Sequence, residues 1–103
     1  VRSRFEIRQE GACLVAWFHG TLDGESFLEA TASIRSCLAT DEAVIDVTRL
    51  AYVDSFEMLV IEEVMDLAKS TSIRCNGVVK EVLAFCLASK PNVALLDGST
   101  TTA

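Results

Sequence analysis

The sequence predicts an α/β domain: a mixed, mostly parallel sheet with helices packed on it, in the order β-β-α-β-α-β-α-β. Three observations carry that prediction. Segments with the two-residue period of a strand alternate with segments whose apolar residues recur every three or four positions. The first two strand-like segments are separated only by a glycine turn, as in a hairpin, whereas a helix-length stretch precedes each later one, as in parallel crossovers. Half of the 103 residues are hydrophobic, enough for a core without disulfide or metal staples. One domain over residues 1–103 is expected, ordered from about 5 to 97, with 98–103 a frayed polar tail.

Arg4-Phe5-Glu6-Ile7-Arg8 alternates charged and apolar residues, the pattern of a strand with one wet face. Gly11 marks a turn. Ala12 to Phe18 is apolar throughout, which predicts a strand buried on both faces. After the loop 19–24, Phe27, Ala30, Ile34, Cys37 and Leu38 recur at helical spacing, with Asp23 as N-cap and Glu25 in the positive first turn. Ala43 to Val47 reads as a central strand. From Ser55 to Lys69, the residues Met58, Ile61, Val64, Met65 and Ala68 form a second helical stripe. Glu57, Glu62, Glu63 and Asp66 fall outside it, which predicts an acidic outer surface. Ser72 to Asn76 is a further strand. Val79, Val82, Leu83, Cys86 and Leu87 make a third helical stripe, closed by Lys90-Pro91, and Val93 to Leu96 is the last strand.

Composition narrows the function classes. Nine basic against fifteen acidic residues leave a net charge of -6, which disfavours a nucleic-acid partner. No apolar run approaches the length of a membrane span. The N-terminus lacks both the apolar segment of a signal peptide and an initiating methionine, so the chain is expected to be processed or part of a longer protein. The four cysteines, Cys13, Cys37, Cys75 and Cys86, form no Cys-x-x-Cys pair and sit within apolar patterns. Reduced, buried thiols in a cytoplasmic protein are expected, with no metal, since His19 is the single histidine. No nucleophile–base pair or phosphate-cradling glycine loop is visible, so neither catalysis nor a cofactor is expected.

Two short motifs remain: Gly20-Thr21-Leu22-Asp23 after the early apolar strand, and Val44-Ile45-Asp46-Val47 leading through a short loop to Asp54-Ser55 at a helix start. Together, in this order of elements, they resemble the STAS domain family over roughly residues 5 to 97. The resemblance implies a bacterial, non-enzymatic protein-interaction module of the anti-sigma factor antagonist kind. By that resemblance Ser55 is the acceptor phosphorylated by a kinase-type anti-sigma factor. Gly20, Leu22, Asp23, Asp54, Ser55, Phe56, Glu57 and Met58 would be the partner-binding residues. The family also includes constitutive docking domains of anion transporters and lipid-transport ATPases, which is the alternative. No nucleic acid or inserted membrane segment is implied, and the oligomeric state is left open.

The chain departs from the antagonist pattern, which reads Asp-Ser-Ser-Gly or Asp-Ser-x-Gly. Here Phe56 and Glu57 follow Ser55. Read from the residues alone, Asp54 is an N-cap, and Glu57 three positions later completes a capping box. Glu57 is also expected to add bulk and charge where a kinase must approach. Phe56 is expected to pack on a neighbouring segment rather than to anchor a partner. Asp46 should satisfy loop amides, and His19 is a polar loop residue.

Overall fold

The computed structural model describes residues 4–98 and has the predicted order of elements. Strands β1 (Phe5–Glu10) and β2 (Cys13–Phe18) form an antiparallel hairpin about Gly11, whose positive φ of 59° suits a residue without Cβ. Helix α1 (Gly24–Arg35), strand β3 (Thr40–Asp46), helix α2 (Ser55–Leu67), strand β4 (Ala68–Cys75), helix α3 (Gly77–Cys86) and strand β5 (Val93–Asp97) follow. The sheet order is β1-β2-β3-β4-β5, parallel from β2 onward.

Strands that follow one another in sequence, each crossover having the same hand, place all their helices on one face. The core shows this arrangement. Leu14, Ala16 and Phe18 of β2, Ala43 and Ile45 of β3, and Ile73 and Cys75 of β4 join one buried cluster. The same cluster takes Ala30 and Ile34 of α1, Val60, Ile61 and Val64 of α2, and Val79 and Leu83 of α3.

Among the described residues, the opposite face of the sheet carries no helix. Cys13, Val15 and Trp17 of β2 and Val44 of β3 point there and are only half-buried. The expectation that β2 is buried on both faces is therefore corrected. Its apolar residues alternate between a covered face and an open one, because sequence-order pairing leaves no crossover for the second face.

Boundaries move by a few residues. Helix α1 stops at Arg35, short of Cys37 and Leu38, and Leu38 is exposed. Helix α2 passes directly into β4 at Ala68, where the cap residue is already extended. The third helical stripe is only partly covered: Val79, Leu83 and Leu87 are buried, while Val82 and Cys86 lie outside. The thiols are accordingly not uniformly buried. Cys75 is buried, Cys13 and Cys37 are half-buried, Cys86 is exposed, and all four are free. Residues 99–103, most of the expected frayed tail, lie outside the described residues.

Candidate functional site

The site is built at the carboxyl ends of the parallel strands, where the loop after β2 meets the first turn of α2. Both helix starts are capped by aspartate, as the sequence implies. Asp23 Oδ1 accepts from Ser26 N at 2.8 Å, and these hydrogen bonds hold the exposed Asp23 carboxyl below its ordinary range. Asp54 Oδ1 accepts from Phe56 N at 3.0 Å and from Glu57 N at 3.4 Å. Glu57 Oε1 reaches back to accept from Asp54 N at 3.0 Å, completing the capping box.

Glu57 does more than close the box. Its second oxygen, Oε2, accepts from Leu22 N at 2.9 Å across 35 positions of sequence. The side chain is 0 % exposed. Burial pushes its carboxyl up from the usual glutamate range, although two backbone N–H groups pull the other way. One carboxylate thus ties the Gly20–Asp23 loop to the start of α2, and Leu22 beside it is buried in the core. The expectation that Glu57 is a charge on the outer surface, obstructing a kinase, is overturned. The capping geometry turns the side chain inward, where two backbone donors compensate its desolvation. Of the acidic surface expected on α2, Asp66 is exposed, whereas Glu62 and Glu63 are half-buried.

Glu57 also leaves Ser55 open. Ser55 is the first residue of α2 and is exposed. Phe56 stacks on Phe27 of α1, with ring centroids 4.8 Å apart and planes 28° apart. That aromatic contact ties α1 to α2, and Arg35 Nη2 lies 3.8 Å from Glu63 Oε1 along the same seam. Met58 is half-buried against the core. Of the other expected site residues, Asp23 is exposed, Gly20 is half-buried and Asp54 is half-buried. The eight residues therefore divide into an inner set that fixes the turn (Leu22, Asp54, Phe56, Glu57, Met58) and an outer set of Asp23 and Ser55, with Gly20 between them.

Asp46 behaves as expected of a strand-end aspartate: its Oδ1 accepts from Thr48 N at 2.9 Å and from Thr48 Oγ1 at 2.6 Å. His19 Nε2 lies 2.9 Å from Glu6 Oε1. Among the described residues, no group of three or more His, Cys, Asp or Glu side chains is placed to hold a metal ion. Nor is any described helix long and apolar enough to cross a membrane.

Two exposed apolar residues next to the turn escaped the sequence reading. Tyr52, two positions before the cap, is 57 % exposed, and Leu59, one helical turn beyond Ser55, is 49 % exposed. The available signal was spacing. Leu59 stands four positions after Ser55, on the same side of α2 and outside the apolar stripe.

Comparison with known proteins adds no further assignment. No protein-family model matches the chain, and no curated protein matches it.

Proposed function

We propose that this chain is a non-enzymatic interaction module of the STAS kind. It docks on a kinase-type anti-sigma factor in the bacterial cytoplasm, through the Gly20–Asp23 loop and the first turn of α2. The observation that carries this reading is the Glu57 carboxylate, which joins the two signature segments into one rigid surface around exposed Ser55. Tyr52 and Leu59 flank that surface and supply the apolar contact area that an anchor needs.

Phosphorylation of Ser55 is the switch. A phosphoserine adds about -1.5 to -2 charges near neutral pH. Here the added charge adjoins the Asp54 carboxylate, in a chain of net charge -6. Glu57 and the Phe27–Phe56 stack lock the turn, so the phosphate acts by changing surface charge and leaves the helix start in place.

Phosphosite mapping on protein from its native cells, with phosphatase inhibitors present, should find phosphate on Ser55. Ser55→Asp should weaken capture of the partner, and Ser55→Ala should leave the module permanently competent. Equal binding by both variants would end the switch reading. The rigidity of the turn also favours a second reading, a constitutive docking domain of an anion transporter or lipid-transport ATPase. Co-purification with such a membrane complex, unchanged by phosphatase, would select it.

A further inference from the structure

Helix α3 is apolar well beyond the stripe it buries. Val79, Leu83 and Leu87 reach the core, while Val78, Val82 and Phe85 stand exposed on one flank, Phe85 to 86 %. The crossovers run all three helices the same way over one face of the sheet, so equivalent positions can be compared. Glu63, one residue before buried Val64 and three after buried Val60, is turned toward α1, where Arg35 lies 3.8 Å away. Val82 holds the same place in α3, one residue before Leu83 and three after Val79, and is therefore turned toward α2. Arg35 in turn follows buried Ile34 by one residue. Met65 follows buried Val64 by one and is turned, by the same rule, toward α3. Met58, two helical turns earlier, shares that flank.

Two apolar flanks thus face each other without meeting. Helices α1 and α2 approach closely, with the Phe27–Phe56 stack and the Arg35–Glu63 pair across their seam, whereas α2 and α3 do not. No ring stack or ion pair joins α2 to α3 among the described residues. At the end of the gap nearest the loop after α3 lies a depression of about 290 Å³, lined by Glu62, Met65, Asp66, Lys90 and Pro91 among others.

Charge along this groove is one-sided. Glu62 and Asp66 stand on its α2 rim and Glu81 on the outer crest of α3, and none of them makes an ion pair among the described residues. Lys90, at one end, is the single unpaired cation lining the depression, because Lys69 there lies 3.3 Å from Asp41.

We propose that the α2–α3 groove seats a basic amphipathic helix of a protein partner. The apolar stripe of that helix lies between Met58 and Met65 on one side and Val78, Val82 and Phe85 on the other. Its flanking lysines or arginines meet Glu62, Asp66 and Glu81. Recognition of a helix in a groove uses apolar anchors one and two turns apart, and Val78, Val82 and Phe85 present that spacing. The methionines suit such a wall, because their unbranched side chains repack around what they meet. Helix α2 has 13 residues, so the groove is about 20 Å long and matches a partner helix of about 14 residues. A second copy of this chain does not fit the charge, since none of its three helices carries a net positive charge. The proposal makes no use of Ser55 and holds whether or not that residue is phosphorylated.

Titrating the isotope-labelled chain with a leucine–lysine amphipathic peptide of about 14 residues tests the groove, with backbone NMR shifts as the readout. Shifts should concentrate in α2 and α3 and leave α1 and the open sheet face unmoved. A scrambled peptide of the same composition, and a leucine–glutamate amphipathic peptide, should each bind about tenfold or more weakly. Phe85→Ser should weaken binding by about thirtyfold, the scale of an aromatic anchor. Leu28→Ser, at an exposed position on α1, should change nothing. Glu62→Lys combined with Asp66→Lys should reverse the preference from the lysine peptide to the glutamate one. Equal binding of the scrambled peptide, or shifts centred on α1 or the sheet, would overturn the proposal. So would self-association of the chain that depends on Phe85 and excludes the peptide, which would make a second copy the occupant.

Discussion

A buried carboxylate with two backbone donors is costly to remove and costly to keep. Truncating Glu57 leaves the N–H groups of Leu22 and Asp54 without their acceptor, at about 1–3 kcal/mol for a buried unsatisfied group. Glu57→Ala should therefore destabilise the fold by about 2–4 kcal/mol, measured by urea unfolding. The pH dependence has a definite sign. Burial raises the folded-state pKa of Glu57 above its ordinary value of 4.5, so in the window above 4.5 the folded chain binds more protons than the unfolded one. Its contribution is fully present below 4.5 and falls as pH rises through the raised folded value. Asp23 works in the opposite direction, because its lowered pKa makes its contribution disappear as pH falls below the ordinary aspartate range. Glu57→Gln should flatten the decline of stability above pH 4.5 and leave the acid limb due to Asp23 in place. An unchanged slope above 4.5 would remove Glu57 as its source.

Among the elements, the pairing of α1 with α2 carries a specific contact. The stacked rings of Phe27 and Phe56 lie at the separation at which aromatic pairs add about 0.5–1.5 kcal/mol beyond their buried area. A double-mutant cycle with Phe27→Leu and Phe56→Leu should return a coupling energy of about that size; a value near zero would reduce the stack to mere proximity. Helix α3 is the contrasting case. Asn76 at its N-cap makes no side-chain cap hydrogen bond, its amide going instead to Thr48 O at 3.4 Å. Val78, Val82 and Phe85, at i, i+4 and i+7, are exposed, Phe85 to 86 %. The sequence shows the helical period of α3, but the period alone cannot say how much of an apolar arc a neighbour covers. The Asp54–Glu57 capping box was readable from spacing for the opposite reason: both its hydrogen bonds are local.

At the scale of the molecule, stability should fall away from the central strands toward the β5 edge. Strands β2, β3 and β4 are paired on both sides and hold much of the buried cluster, whereas β5 is an edge strand beside the weakly capped α3. Native-state hydrogen exchange should find the slowest amides in β3 and its two neighbours, and the earliest opening in α3 and β5. Uniform protection across the sheet would contradict that gradient.

By itself the sequence determined the order of strands and helices, the two aspartate caps and the capping box, because each is a matter of period or of spacing within four residues. The STAS resemblance rests on the same kind of short-range signal, placed in the right order. Tertiary structure decided which way those residues face. Glu57 became an inward tie because Leu22, 35 positions earlier, brings a backbone donor to it. The apolar β2 proved to be covered on one face only, because strand order, set by pairings far apart in sequence, put every helix on the other side. A strand's composition records that its residues are apolar; which of its faces is covered is a property of the assembled fold.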